Sequence, residues 1–597
     1  MVCGAGEKER AAEDFKLFPR VPAVNTKSFL KPIFQLIAMP DLDSIIRKHV
    51  LKNAHDFGSA DAGSVAGKVI AECPECKKDM KDTMSRIKTE IERVSGLDRE
   101  EIAREMEEFE YAKKKEEEKT ITLPDAEKGN VVTRFPPEPS GYPHIGHAKA
   151  AWLDYEAARA YEGKMLLRFD DTNPEKESRE YVEAIKDGLE WLGIKWADES
   201  YTSDHMDEIY KAAEKLIQEG KAYVSIEPRE KLSESRTSSV PLPERLLTPE
   251  KQMEKWNRML SGEYRQGEAL LLYKGDLESL NTVMRDPALA RIIEAPHYRQ
   301  DDKYRVWPSY DLSVAVMDHL EGMTHPMRSK EYELRDELYY ALFDALGWKK
   351  PVMIPFSRLA IKNAPVSKRL ITPLVEGGKV MGWDDPRLPT LSGLRRRGIQ
   401  PEAIKQFVLY FGLSRSESEP DWEVLLAFNR KLLDPEAPHY FFVAEPVELE
   451  VGGLEEQELE LKLHPRKDMG KRRLKVSKKI FISKTDADQL KKGDTFRLKD
   501  LCNVRLTAKS LKLSGELVEG IAEKKIQWVS DSRAECRVLV PGDLLRNGEY
   551  NPDSLKRIIG FCEDSCLELN EGAMVQFERF GFCRLDSKKA PEFIFSC

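Results

Sequence analysis

The sequence contains no apolar run of about 18 residues, which excludes a bilayer-spanning helix. Its nearest approach to a signal segment, residues 29–39, is interrupted by Lys31, Pro32 and Gln35 and is followed by no clean small-residue cleavage site. Cysteine is scarce, nine in 597 residues, and an odd number so widely scattered reads as reduced thiols of a cytoplasmic protein. Cys73-Pro-Glu-Cys76 has no second pair at zinc spacing, and Cys562 and Cys566 have only Cys583 for company. All are read as free thiols, with no protein-bound zinc. Neither Gly-x-x-x-x-Gly-Lys-[Ser/Thr] nor Gly-x-Gly-x-x-Gly occurs, which argues against a P-loop NTPase and a dinucleotide oxidoreductase. No repeat of fixed period is present. Neither sign of charge dominates: 95 Lys+Arg against 104 Asp+Glu give −9, which argues mildly against a general nucleic-acid coat and leaves local patches open.

What is there is the composition of a globular protein, 41% hydrophobic and 33% charged, and a length equivalent to roughly four units of ~150 residues. Residues 44–53 and 81–97 carry apolar side chains at helical spacing, with residues 58–67 read as a loop between them. A charged tract over 99–119 reads as a solvated helix end or linker, closed by Pro124. From residue 131 a short β-rich run, a Pro/Gly turn, a helix over 148–161 and a strand over 164–170 form a β-turn-α-β unit. A helix bearing Val182, Ile185, Leu189 and Leu192 follows, and alternation of this kind implies a parallel sheet flanked by helices. Residues 200–305 look like an insertion, after which the sheet pattern returns at Val306, with 312–316 as its apolar run. Residues 386–429 read as helical, and beyond Val447 short β-rich runs at 459–463, 479–482 and 495–498 suggest antiparallel sheet or barrel.

The chemistry concentrates in Arg134-Phe-Pro-Pro-Glu-Pro-Ser-Gly-Tyr-Pro-His-Ile-Gly-His147. A strand end turning into a helix start is an anion site, because first-turn N–H groups are unpaired and the helix dipole favours negative charge. Gly141 and Gly146 allow close backbone approach, and His144 and His147, three apart, share one face and can donate to phosphate oxygens. A metal site would need a third ligand, and none lies nearby.

His144-Ile-Gly-His147 resembles the signature of class I aminoacyl-tRNA synthetases, and the longer run resembles their glutamyl and glutaminyl branch on its archaeal-eukaryotic side. Phe356-Ser-Arg-Leu359, Pro365-Val-Ser-Lys-Arg369, Gly382-Trp-Asp-Asp-Pro-Arg387 and Gly393-Leu-Arg-Arg-Arg-Gly398 match the same branch in order. Taken alone, Ser367-Lys-Arg369 would be a surface basic loop. The resemblance implies an α/β fold with a Rossmann-like catalytic domain over 124–200 and 306–380, and an α+β acceptor-binding insertion over 201–305. It adds a helical N-terminal appendage over 39–123, a helical stem-contact region over 381–440 and C-terminal antiparallel anticodon-binding β-barrels over 441–597. Because the likeness starts near Met39, residues 1–38 are read as an extension ahead of the true start. The chain is taken as a monomer.

The implied reaction forms an aminoacyl adenylate from ATP with loss of pyrophosphate, then transfers the acyl group to the terminal adenosine of tRNA. Mg²⁺ is expected as the counter-ion that ATP itself holds. The resemblance makes His144, His147 and Lys368 catalytic, and places Glu138, Pro139, Ser140, Gly146, Arg358, Leu359, Val366 and Ser367 around ATP. Arg134, Asp170, Tyr310 and Arg328 would line the amino-acid pocket, with Asp170 on the substrate ammonium. Arg395, Arg396, Arg397, Arg466, Lys471, Arg472 and Arg473 would bind tRNA. Residues 466–479, eight basic against one acidic, would form a basic loop on phosphates. Arg328 favours the glutamyl side, since a side-chain carboxylate suits a guanidinium better than an amide does. An ion pair with Glu331 is its structural alternative. Phe428-Asn-Arg-Lys431 and Asp434-Pro-Glu-Ala-Pro438 also resemble the glutamyl side. The expected acceptor is tRNA(Glu), with tRNA(Gln) left open. A glutaminyl enzyme and a retired tRNA-binding scaffold are the rivals. Three positions depart from the branch: Pro143 before the first histidine, Asn363-Ala-Pro365 before Ser367, and Leu272 where a basic insertion residue is expected.

Overall fold

The computed structural model describes residues 41–109, 111, 121–510, 512–520 and 522–597, so the extension expected at 1–38 and positions 110 and 112–119 of the charged tract expected at 99–119 lie outside the described residues. The chain divides into two compact units, Met1–Glu110 and Tyr111–Cys597. In the first, helices Leu42–Phe57, Ala62–Glu72, Met80–Ser95 and Arg99–Met106 surround a core that includes Ile45, Val50, Leu51, Val65, Val69, Ile87 and Ile102. The loop expected at 58–67 is therefore half helix. Asp61 caps its start by accepting the Ser64 N–H at 2.7 Å, and burial of Val65, Ala66 and Val69 overrides two glycines of poor helix propensity.

The second unit begins with parallel strands Val132–Phe135, Lys164–Phe169 and Asp198–Tyr201, joined by helices Ile145–Ala160 and Arg179–Leu192. Gly163 is required here: a Cβ would stand 2.1 Å from the Val131 carbonyl oxygen. Strands Met327–Ser329 and Ile354–Phe356 form a second parallel pair. The N–H groups of Thr324 and His325 both donate to the Val132 carbonyl, at 3.1 and 3.2 Å, and so fix this pair beside the first sheet.

The insertion is a four-stranded antiparallel sheet of Ala222–Ser225, Leu270–Tyr273, Ala288–Ile292 and Val306–Pro308, so Val306 closes the insertion and does not reopen the catalytic sheet. Residues 312–316, read as sheet, lie in the helix Tyr310–Leu320. That helix is buried on every face from Asp311 to Asp318, and an apolar run without periodicity looks alike in a buried helix and a buried strand. Leu272 is fully buried opposite Tyr223, which explains why no basic residue stands there.

Helices Leu391–Arg397, Pro401–Phe411 and Trp422–Leu433 lead to two C-terminal sheets. The six-stranded sheet is drawn together by reciprocal Phe481–Val529 backbone hydrogen bonds of 2.8 and 3.1 Å. In the seven-stranded sheet one short segment supplies both edges, His439–Tyr440 at one end and Phe442–Ala444 at the other. Both are near-barrels, mainly antiparallel as expected, with parallel pairings added at four places. The expected basic loop is also corrected. Lys471–Val476 is a strand paired with Gln457–Lys462, whose glutamates offer its cations cross-strand partners.

Candidate active site

The His144–His147 turn is held from behind by main chain. Ile145 N–H donates to the Pro389 carbonyl and Leu391 N–H to the Pro143 carbonyl, both at 2.9 Å, so residues 389–391 clasp the start of the helix Ile145–Ala160. The Gly382–Arg387 motif supports that clasp. Trp383 stacks on Tyr142 with centroids 5.0 Å apart, and its carbonyl accepts the Thr390 hydroxyl at 2.6 Å. Asp385 and Arg387 form a buried ion pair below.

Nδ1 of His144 accepts the Gly146 N–H at 3.0 Å, and Nδ1 of His147 accepts the His144 N–H at 3.2 Å. Burial lowers the pKa of both, His147 to about 4 and His144 well below the usual imidazole range, with His147 and Arg358 adding to the effect at His144. Two neutral rings whose Nδ1 atoms accept must carry their protons on Nε2, so each is a ready donor. Gly146 is obligatory, since a Cβ there would lie 2.8 Å from the His144 ring.

Lys368 opens the helix Lys368–Glu376, its ammonium 2.7 Å from the Ser140 carbonyl and 4.6 Å from the Tyr181 ring centre. The two separated motifs are thus in contact. Of the residues expected around ATP, Glu138 and Arg358 are exposed, Ser140, Gly146 and Ser367 are partly exposed, and Pro139, Leu359 and Val366 are buried framework. Arg358 pairs with Glu331 at 2.9 Å.

Arg134 and Arg328, both expected to line the amino-acid pocket, differ sharply. Arg134 is 1% exposed and fully engaged: Nε lies 3.1 Å from Asp318 and Nη1 donates to the Met327 carbonyl at 2.7 Å. Asp318 also takes Arg168 and the Tyr339 hydroxyl, and Arg168 pairs further with Glu321. Sequence spacing gave no signal of Asp318, which lies 184 residues from Arg134. Arg328 is 5% exposed and uses only Nη1, on Asp336 at 3.0 Å. Its Nε and Nη2 are buried without an acceptor among the described residues. Its suspected partner Glu331 is taken by Arg358. The Arg328 guanidinium lies 5.4 Å from the Tyr310 ring centre, and the Ser313 hydroxyl links the Tyr310 carbonyl, at 3.2 Å, to Asp170, at 3.4 Å. Burial pushes Asp170 up to about 6 and Tyr310 up to about 12. Among the described residues, therefore, two guanidinium donors of Arg328 are unpaired and Asp170 has no ion-pair partner within 4.0 Å.

The residues expected on tRNA do not form one class. Arg395 is exposed, with Asp187 at 3.4 Å, and Arg396 is pinned by Asp586 at 2.8 Å. Arg397 is corrected: it is 4% exposed, points to the Ser596 carbonyl and lies over Trp422, and burial lowers its pKa to about 10. Arg472 is corrected for the same reason, being buried against Glu563 at 2.8 Å. Neither has surface to offer a phosphate. Arg466 pairs with Asp434, and Lys471 and Arg473 remain on the surface.

A parallel sheet whose first strand runs into a two-histidine helix start, contacted by a lysine that begins a second helix, defines an ATP-activating catalytic domain of class I synthetase type. Comparison with known families is specific. The family described as "tRNA synthetases class I (E and Q), catalytic domain" matches residues 130–435, and two anticodon-binding domains of the same family match 437–524 and 525–586. A glutamate–tRNA ligase of Nitrosopumilus maritimus is 43% identical over 559 residues, covering 92% of this chain and 98% of its own. One from Pyrococcus horikoshii is 42% identical over 569 residues, covering 92% and 97%. The chain belongs to the class I tRNA synthetases of the glutamyl and glutaminyl type, which use ATP. No described helix is long and apolar enough to cross a membrane.

Proposed function

We propose that the protein is a cytoplasmic, archaeal-type glutamate–tRNA ligase acting on L-glutamate, ATP and tRNA(Glu). The carrying observation is Arg328, whose buried Nε and Nη2 lack acceptors. A γ-carboxylate would accept both in a charge-assisted pair, whereas a glutamine amide would turn its own N–H₂ donors toward a guanidinium that can only donate. Asp170 suits the substrate ammonium, and Tyr310 lies between the two charges in the chain of contacts. In the first step the substrate α-carboxylate attacks the α-phosphorus of ATP and pyrophosphate leaves. The Nε2–H groups of His144 and His147 and the ammonium of Lys368 are suited to the charge that grows on the leaving phosphates. Lys368 must leave the Ser140 carbonyl to do so. Mg²⁺ is assigned to the nucleotide, whose phosphates hold it. In the second step a hydroxyl of the terminal adenosine attacks the acyl carbon and AMP leaves.

The decisive measurement is exchange of labelled pyrophosphate into ATP, with tRNA present and each amino acid supplied in turn. Glutamate should support exchange and glutamine should not; a preference for glutamine would overturn the assignment. Aminoacylation of purified tRNA(Glu) and tRNA(Gln) then decides whether tRNA(Gln) is a second acceptor.

A further inference from the structure

Lys149 is the only lysine buried among the described residues, at 1% exposure. It stands two residues after His147 on the helix Ile145–Ala160, and its ammonium donates to the Ser357 carbonyl at 2.7 Å and lies 3.1 Å from the Ser357 hydroxyl. No ion pair joins it to a carboxylate among the described residues, and burial is the sole influence on its pKa, which it lowers to about 8. Burying an ammonium without a counter-ion is unfavourable, and methionine would fill similar space at less cost to folding. Ser357 itself is fully buried, is anchored through its N–H on the Ser414 carbonyl at 2.9 Å, and immediately precedes Arg358 and Leu359. The Leu359 carbonyl in turn closes on Gly146, 3.5 Å from where a Cβ would stand.

We infer that Lys149 is a positioning residue: it clamps the Ser357–Arg358–Leu359 turn to the histidine-bearing helix, so that the two walls of the nucleotide site are held as one body. This rests on the nucleotide site proposed above, and it assigns Lys149 no contact with substrate.

The test compares wild type with Lys149→Met, Lys149→Arg and Ser357→Ala. Lys149→Met should raise KM for ATP about tenfold or more in pyrophosphate exchange while KM for glutamate stays within about twofold and the melting temperature does not fall. Lys149→Arg should recover most of the loss, and Ser357→Ala, which removes only the hydroxyl contact, should change KM for ATP less than about threefold. The pH dependence gives a second readout. Because burial puts the folded pKa near 8, below the unfolded value near 10.4, the unfolded chain binds more protons between them and stability should rise with pH there. ATP affinity should fall over the same range as the ammonium loses its charge, and that fall should vanish in Lys149→Arg. Calorimetric titration with a non-hydrolysable ATP analogue needs no amino acid, so it tests the clamp even where the choice of glutamate fails. The inference is overturned by an unchanged ATP affinity in folded Lys149→Met, or by parallel losses for ATP and glutamate with a lowered melting temperature. Should Lys149→Met not fold, a wild-type ATP affinity flat from pH 7 to 9.5 overturns it equally.

Discussion

Arg328, in the proposed amino-acid pocket, and Arg472, in the C-terminal sheets, are both buried arginines but are partnered in opposite ways. Arg472, in the C-terminal hairpin, is closed off by Glu563, with Nε 2.8 Å from the carboxylate, and by the Lys462 carbonyl. Around it Lys471, Lys478 and Lys479 find cross-strand glutamates at Glu460, Glu450 and Glu448. Arg328 is as deeply placed, yet two of its nitrogens meet no acceptor among the described residues. A buried donor without a partner is a standing free-energy cost, so it persists where a ligand completes it. The sealed Arg472 is architecture, and the incomplete pairing of Arg328 is what the proposed γ-carboxylate would complete.

Removing one partner from each site sharpens the contrast, and the largest effect should come from the architectural side. Glu563→Ala leaves the Arg472 guanidinium buried without its counter-charge, which should lower unfolding stability by about 3–5 kcal/mol. Urea denaturation measures this, and a loss below about 1 kcal/mol would remove the distinction drawn here. Glutamate activation by the folded variant should be unchanged. Arg328→Cys should do the reverse. It deletes a cation whose folded-state partners are incomplete, so stability should hold, while kcat/KM for glutamate in exchange should fall on the order of 100-fold, about 2.7 kcal/mol. ATP binding should stay within about threefold. Unchanged adenylate formation in that variant would show that Arg328 is not the γ-carboxylate ligand.

The same contrast explains what was legible in the sequence. The histidine turn and the parallel sheet are readable because strand end, turn and helix start lie within a few residues, whereas Lys368, 228 residues from Ser140, is readable only through the family resemblance. Charge partners are not. Glu331 looked like the mate of Arg328 because it is three residues away, but a short 3₁₀ turn over Lys330–Arg335 sends it to Arg358 instead. Residues 466–479 looked like a free basic loop because their neutralising glutamates sit on other strands, set by register. Arg397 shows the converse: a triple-arginine helix reads as one surface, but helical rotation turns its third member inward under Trp422. Lys149 had no signal beyond its nearness to His147, since what makes it unusual is the lack of a partner.

Between these extremes lies the Glu177 carboxyl, which feels the charges of Glu138 and Asp170. Glu177 Oε1 accepts the Asn173 N–H at 2.9 Å, whereas Oε2 is buried without a hydrogen bond among the described residues, 3.6 Å from a His297 Nε2 that likewise has none among them. Burial raises Glu177 to about 9, opposed by the Asn173 N–H and reinforced by Glu138 and Asp170. A carboxyl raised in the folded state binds its proton where the unfolded chain has already released it, so its stabilising effect is lost as pH climbs toward 9. Glu177→Gln should flatten the decline in urea midpoint between pH 6 and 9, and an unaltered slope would mean that this carboxyl is ionised in the folded protein.

The smallest effect is expected at the exposed edge of the basic strand, where Arg473 lies 72% exposed and 3.6 Å from Glu460. An exposed pair of this length contributes well under about 1 kcal/mol, so Arg473→Ala should leave stability within about 0.5 kcal/mol. If the side chain also contacts a tRNA phosphate, its loss removes one released counter-ion. The slope of log affinity against log salt should then fall by about 0.7, with affinity down only a few-fold. Neighbouring Arg472, sealed against Glu563, gives no such decrement when changed with Glu563 to an apolar pair of similar volume. A salt slope that responds to Arg473 and ignores Arg472 would divide one basic strand into a face that reads nucleic acid and a face that holds the sheet together. Equal responses would erase that division and return the whole strand to a single electrostatic surface.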